Sequence, residues 1–207
     1  MGELSETKEN IFDVFVEMVS TSGYENVTTR DIAKKTGINA ASIYYHFESK
    51  EKILEYAYDY YAKYQYDNRA PAEAMKKLIE TAAGAEEIIS GFFYTFETED
   101  LKKYTRMILI TKIIYMRLFQ DPIANAMFAE SNTNSAEYVI SIMKHGIGAG
   151  RIAPDFDLET FADILIGSKI VMGIRAFSDS GYVVGQLDQE KRILKLLTRL
   201  LSTALIR

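Results

Sequence analysis

Thr28 to Lys52 reads TTRDIAKKTGINAASIYYHFESKEK, and the rest of the chain takes its meaning from it. Thr28 and Asp31 have the spacing of a capping box, so a short helix starts here with Ile32 and Ala33 turned inward. Gly37 ends that helix, because glycine enters the left-handed region without a Cβ penalty. Ile38 plugs the apolar side of the turn, and Asn39 caps a second helix over Ala40 to Phe47. Ser49 caps another, with Glu51 well placed in its first turn. Two short helices around a glycine turn match a helix-turn-helix, whose second helix enters the major groove. Ile32, Ala33, Ile38, Ile43 and Phe47 supply a fixed inner face. Thr29, Arg30, Lys34, Asn39, Ser42, Tyr44, Tyr45 and His46 are left outward or partly outward. Arginine pairs with both acceptors of a guanine edge. Hydroxyls, Lys50 and helix N-terminal amides suit phosphates.

A glycine turn between helices is common, but the complete string is more specific. I-A-x-x-x-G-I, I-Y-Y-H-F and S-K-E-x-I-L, within about Ile11 to Tyr58, closely resemble the TetR family of one-component bacterial regulators. The resemblance implies roles position by position. Thr28 caps the second helix and touches phosphate. Arg30 reads a base. Ala40, Ala41, Ser42 and Tyr44 occupy the recognition helix. Tyr45 and His46 flank the DNA backbone, and Lys50 grips phosphate from the fourth helix. The chain departs from the common pattern at Ala40, where many relatives carry a longer polar residue. Alanines touch thymine methyls or permit close approach, which shifts hydrogen-bonded readout towards Arg30, Asn39 and Ser42.

Upstream, Ser5 caps a helix with Ile11, Phe12, Val14, Phe15, Met18 and Val19 at helical spacing, stopped by Gly23. Downstream, the fourth helix runs to about Asn68. Tyr56, Tyr60 and Tyr64 form an i, i+4 ladder along it that reads as packing rather than recognition. Pro71 opens a helix expected to continue, bent near Gly84, to about Glu97. Others are expected over Leu101 to Phe119 and from Asp121-Pro122 to about Gly146, the latter with a break at Ser131 to Asn134. Gly146 to Pro154 reads as a glycine-rich turn, Asp157 opens a helix apolar nearly all round, and Ser178 to Gly185 reads as a loop. Asp188 caps the last helix. No convincing strand is read.

Apolar residues make up 48% of 207 and charged residues 26%, the balance of a soluble globular protein. There is no cysteine, which excludes disulfides and thiolate metal sites. The acidic N-terminus lacks the basic region of a signal peptide, and no run of about 18 uncharged apolar residues offers a membrane span. Cytoplasmic residence without membrane association is expected. Net charge is −5. Within Thr28 to Lys52, Arg30, Lys34, Lys35, Lys50 and Lys52 stand against Asp31, Glu48 and Glu51, a net of +2 that leaves −7 elsewhere. A weakly basic face on an acidic body suits specific contact with a duplex.

The expected fold is all-α. A three-helix helix-turn-helix domain, residues 1–48, is joined by a long fourth helix to a helical effector-binding and dimerisation domain, residues 49–207. Gly150 to Asp157 echoes the link before the family's dimerisation helix, and relatives pair through their last two helices. Phe161, Leu165, Ser168, Met172, Ile193, Leu197, Leu200 and Leu201 are the expected interface. Bulky, adaptable side chains suit an apolar effector cavity, and Phe92, Phe96, Tyr104, Met107, Tyr115, Met116, Tyr138, Met143 and Met172 are its candidates. Arg106, Lys112, Arg117, His145, Lys169 and Arg175 can anchor a polar group or be salt-bridged. The implied function is a homodimeric, ligand-responsive repressor on an inverted-repeat operator of double-stranded DNA, with an unknown small-molecule effector and no cofactor.

An all-helical enzyme or carrier is the alternative from another class. The two histidines, His46 and His145, follow Ile43 and Ile142 at the third position before them, which removes the Glu-x-x-His pairs of di-iron bundles. No nucleophile elbow, Walker loop or dinucleotide fingerprint is present, so no catalytic or metal residue is assigned. A regulator switched by a protein partner is the third reading.

Overall fold

A computed structural model describes residues 5–67, 70–93, 101–178 and 188–206. Ten α-helices stand among them: α1 (Glu6–Ser22), α2 (Thr29–Thr36), α3 (Ala40–His46), α4 (Lys50–Asp67), α5 (Ala72–Thr81), α6 (Ala85–Phe93), α7 (Leu101–Arg117), α8 (Pro122–Gly148), α9 (Leu158–Ser178) and α10 (Asp188–Ser202). The chain packs as two compact units. The first comprises residues 1–67 and 98–128, the second residues 68–97 and 129–207. Packing does not divide the chain at the boundary expected after Glu48, since α4 and α7 join the helix-turn-helix in the first unit.

In the first unit, α1 is the central post. Ser5 accepts from the Lys8 amide at its start, and the Gly23 amide donates to Val19 O at its end. Ile11, Phe12, Phe15, Val16 and Val19 are fully buried, each contributing about 1.5–3 kcal/mol of apolar transfer. They meet Ile32, Ala33, Ile43 and Phe47 from the reader and Ile53, Ala57, Ile110, Ile113 and Ile114 from α4 and α7. The tyrosine ladder is packing, as expected. Tyr56 meets Phe12 edge-on at 4.8 Å, and Tyr60 stacks on Tyr64 at 5.8 Å.

A charged clasp fastens α7 to α1. The Arg106 guanidinium, on a residue only 7% exposed, donates to Asp13 Oδ1 at 2.7 Å and Glu9 Oε1 at 3.0 Å, and lies over the Phe12 and Tyr60 rings. Lys102 bonds the same two carboxylates. Hydrogen bonds from Arg106 and Lys102 hold the Glu9 carboxyl below its ordinary pKa.

In the second unit, α6 packs against α10 and α5, α9 packs against α10, and Val139, Ile142 and Met143 of α8 join their core. The core holds Met75, Ile79, Ile88, Phe92, Ile142, Met143, Phe161, Leu165, Leu197 and Leu201. Cations cap two helix ends: Arg151 donates to Ile79 O and Ala82 O of α5, and Lys169 to Phe92 O of α6.

Three local expectations are corrected. The helix opened by Pro71 is not merely bent near Gly84 but split into α5 and α6, with Ala82 extended between them. α8 runs unbroken for 27 residues through Ser131 to Asn134. Gly146 lies inside α8 rather than in a turn. A Cβ there would come within 2.6 Å of Ile152 Cδ1 and 2.8 Å of Ile79 Cγ2, so its role is close approach. Strand structure among the described residues amounts to one isolated antiparallel bridge, Ile152 to Leu205. The loop expected over Ser178 to Gly185 falls, beyond Ser178, outside the described residues.

Candidate functional site

The reader is built by its caps. Asp31 accepts from both the amide (3.0 Å) and the hydroxyl (2.5 Å) of Thr28, while its own amide donates to Thr28 Oγ1 (3.2 Å). These bonds hold the Asp31 carboxyl below its ordinary value. They also commit the single hydroxyl proton of Thr28, so that hydroxyl reaches a phosphate only by leaving Asp31. Gly37 turns the chain at φ 75, in the left-handed region. The Asn39 side-chain oxygen then accepts from the Ser42 amide (2.8 Å) and hydroxyl (3.1 Å), which starts α3. That leaves the Asn39 amide nitrogen as a donor.

With Ile32, Ala33, Ile43 and Phe47 buried, the opposite face is presented outward. Arg30 and Ala41 are exposed; Thr29, Ala40, Ser42 and His46 are half-buried. Tyr44 is 54% and Tyr45 86% exposed, and the Tyr45 ring meets the His46 ring edge-on at 5.1 Å. The residues expected to read or flank DNA therefore fall on α2, α3 and the turn between them.

Lys50, expected to grip phosphate, has partners within the protein. Its ammonium donates to Tyr24 O and Val27 O, each at 3.0 Å, and sits 3.9 Å from the centre of the Tyr24 ring. It is half-buried and engaged within the protein. Tyr24 went unnoticed in the sequence. An aromatic residue between a helix-stopping glycine and a cap was the available signal.

The effector candidates are distributed over both units. Met107 and Tyr115 pack on the first unit's core, Tyr115 edge-on to Phe128 at 5.5 Å. Met116 is exposed. Phe92 and Met143 are buried in the second unit's core, and Tyr138 packs against it, its hydroxyl donating to Ala70 O at 2.7 Å. Met172 is half-buried on α9. Phe96 and the Tyr104 side chain lie outside the described residues. Arg106 and Arg117 are salt-bridged, Lys169 caps α6, and His145 pairs with Glu80 at 2.6 Å.

The expected pairing residues differ in burial. Phe161, Leu165, Leu197 and Leu201 are buried in the second unit's own core. Ile193 and Leu200 are half-buried against that core, and Ser168 is half-buried with its hydroxyl on Ile164 O at 2.7 Å. On the described parts of α9 and α10 the large apolar residues left exposed are Ile164, Val171, Ile174 and Leu196. Because α9 is apolar nearly all round, its pattern did not tell the buried side from the open one.

Among the described residues no helix is long and apolar enough to cross a membrane, and no cluster of His, Asp and Glu could hold a metal ion.

Residues 11–57 match the family model for bacterial regulatory proteins of the tetR family. The chain is 46% identical over 48 residues to IcaR of Staphylococcus aureus, a stretch covering 23% of this chain and 26% of that one. It is 19% identical over 187 residues to the transcriptional regulator SrpR of Pseudomonas putida, covering 88% and 82% of the two chains. In fold it is similar to a putative transcriptional regulator from Saccharomonospora viridis solved with choline. The TM-score is 0.67 at 20% identity, over 99% of this chain and all of that one. These relatives are regulators rather than enzymes. The matched segment is the one whose caps, turn and outer face are described above, and over residues 11–57 the chain carries the DNA-binding domain of TetR-family transcriptional regulators.

Proposed function

We propose that the protein is a homodimeric repressor that leaves an inverted-repeat operator when a small, largely apolar or aromatic effector binds. The outer face of α2 and α3 carries this reading: Arg30, Tyr44 and Tyr45 stand exposed on a frame whose inner face is buried. In this reading Arg30 pairs with a guanine edge, the Asn39 amide and Ser42 hydroxyl supply further readout, and Ala40 and Ala41 lie against thymine methyls. Thr29, Tyr44, Tyr45 and His46 meet the DNA backbone, and Thr28 fixes the pose of α2 as its cap. DNA reading belongs to residues 1–48, and effector response and pairing to residues 49–207. Cytoplasmic residence fits a protein that must reach DNA.

Two recognition helices must sit one DNA turn apart, or a multiple of it. We assign the pairing that sets this spacing to Ile164, Val171 and Leu196, with Ser168 and Met172 beside them. The effector is assigned to the aromatic and methionine group of Phe92, Tyr138 and Met143, which can repack around an apolar body. It lowers operator affinity only by its differential affinity for the two spacings. IcaR is named as a negative regulator of a biofilm operon, and the Saccharomonospora viridis neighbour holds choline. A repressor switched by a small molecule is in keeping with both.

The test is selection of duplexes from a randomised pool by the wild-type protein and by Arg30→Ala. The wild type enriches an inverted repeat. Arg30→Ala binds it more weakly, by about 1–3 kcal/mol, and accepts more bases at one position per half-site. No enriched repeat, or an unaltered motif with the folded variant, overturns the reading.

A further inference from the structure

The position that by resemblance grips phosphate is Lys50, and its surroundings give it other work. An ammonium has three N–H donors. Two of them go to Tyr24 O and Val27 O, and the ammonium rests 3.9 Å from the centre of the Tyr24 ring. A second cation lies over that ring, Arg117 Cζ at 4.4 Å. The Tyr24 hydroxyl donates to Glu51 Oε1 at 3.0 Å. Arg117 is itself fixed, its Nε donating to Asp121 Oδ2 at 3.0 Å, and the same oxygen accepts from the Tyr58 hydroxyl at 2.8 Å. Tyr24 therefore ties the first residues of α4 to the end of α7. The segment it begins runs through buried Val27 straight into Thr28, the cap of α2.

We propose that Tyr24 is a positioning residue for DNA binding: it holds Lys50 on the carbonyls of Tyr24 and Val27, and Lys50 acts on the duplex by setting the pose of α2 instead of by gripping phosphate. This rests on the assignment of α2 and α3 as the DNA face. Cation–aromatic attraction is strongest when partly desolvated, and Tyr24 and Lys50 are both half-buried. A lysine with both carbonyls satisfied has little to gain by turning out to solvent.

Salt dependence separates the two roles. A lysine on a phosphate releases condensed counterions, and its removal flattens the plot of log affinity against log salt by about 0.9. A lysine that only positions neutral groups leaves the slope unchanged. The probe is the duplex enriched by the wild-type protein, and each variant's melting is followed alongside. Lys50→Met is expected to bind roughly tenfold more weakly with the wild-type slope. Tyr24→Leu, which keeps the Lys50 charge, shows a similar loss, and the double variant is no weaker than either single one. Tyr24→Phe keeps the ring and recovers most of the affinity. A flatter slope in Lys50→Met, or wild-type affinity in folded Tyr24→Leu, overturns the proposal. If Tyr24→Leu does not fold, the Lys50→Met slope decides alone. A wild-type protein that enriches no duplex overturns the DNA face itself, before any variant is made.

Discussion

Large apolar side chains stand in water both on α3 and on α9 with α10, and the chemistry of these two surfaces differs. On α3 the exposed residues are Tyr44 and Tyr45, aromatic rings with hydroxyls, next to Arg30, Asn39 and Ser42. On α9 and α10 they are Ile164, Val171, Ile174 and Leu196, aliphatic, with the nearby Ser168 hydroxyl already bonded to its own helix. A tyrosine can set its ring against sugar and its hydroxyl against phosphate, so the α3 face suits a polar, charged partner. An aliphatic stripe gains only by excluding water and needs another apolar surface. Exposure is common to both surfaces; the polar atoms within them set the kind of partner each one suits.

The largest effect should come from placing a charge in the aliphatic stripe. Val171 is 42% exposed in the single copy, so Val171→Asp should leave a lone protomer nearly as stable as before. Between two copies the same carboxylate is buried unpaired, at a cost of several kcal/mol on each side. Sedimentation should show monomers, with operator affinity lost together with the dimer. A Val171→Asp protein that stays dimeric would remove α9 from the interface and end the contrast. Phe161, on the buried side of the same helix, supplies the control. Phe161→Ala should lower folding stability by about 3–5 kcal/mol through the cavity it leaves, read as a fall in melting temperature.

That pair of residues also shows what a single sequence conveys. Ser5, Thr28 with Asp31, Gly37 and Asn39 were legible because a cap is settled within four residues of chain. The inner face of the reader was legible because short amphipathic helices have one apolar side. α9 has apolar residues on every side, so Phe161 and Val171 looked alike until its neighbours were in place. The placement of α7 was less legible still. Arg106 reaches Asp13 across 93 residues of chain, and no periodicity records such a pairing. Lys50 was read by resemblance, which carries a residue's usual partner but not the tyrosine that waits beside it here.

A smaller effect tests the other surface. Tyr45 is 86% exposed, so Tyr45→Ala should leave melting within about 0.5 kcal/mol of wild type. Weaker DNA binding without a change in stability would identify a contact residue, the reverse of the Phe161→Ala outcome. Unchanged affinity would leave the α3 aromatics as idle surface and blur the distinction between the two faces.

The smallest effect lies at the cap of α2, where charge itself does the holding. Asp31 accepts two bonds from Thr28, and its carboxyl sits below the ordinary 3.8. A carboxyl whose folded-state pKa is depressed contributes stability that is fully present above its unfolded value and is lost as pH falls through the folded one. Acidification below about pH 4 should therefore progressively loosen the start of α2. Asp31→Asn should melt slightly lower than wild type at neutral pH, and the gap should close as the wild-type carboxyl takes up its proton. If the gap persists at pH 2, the loss comes from altered cap geometry and not from charge. The stripe on α9 has no titrating group of its own at Ile164, Ser168 or Val171, so protomer pairing should change less over the same interval than the cap does, which gives the two faces different responses to a single variable.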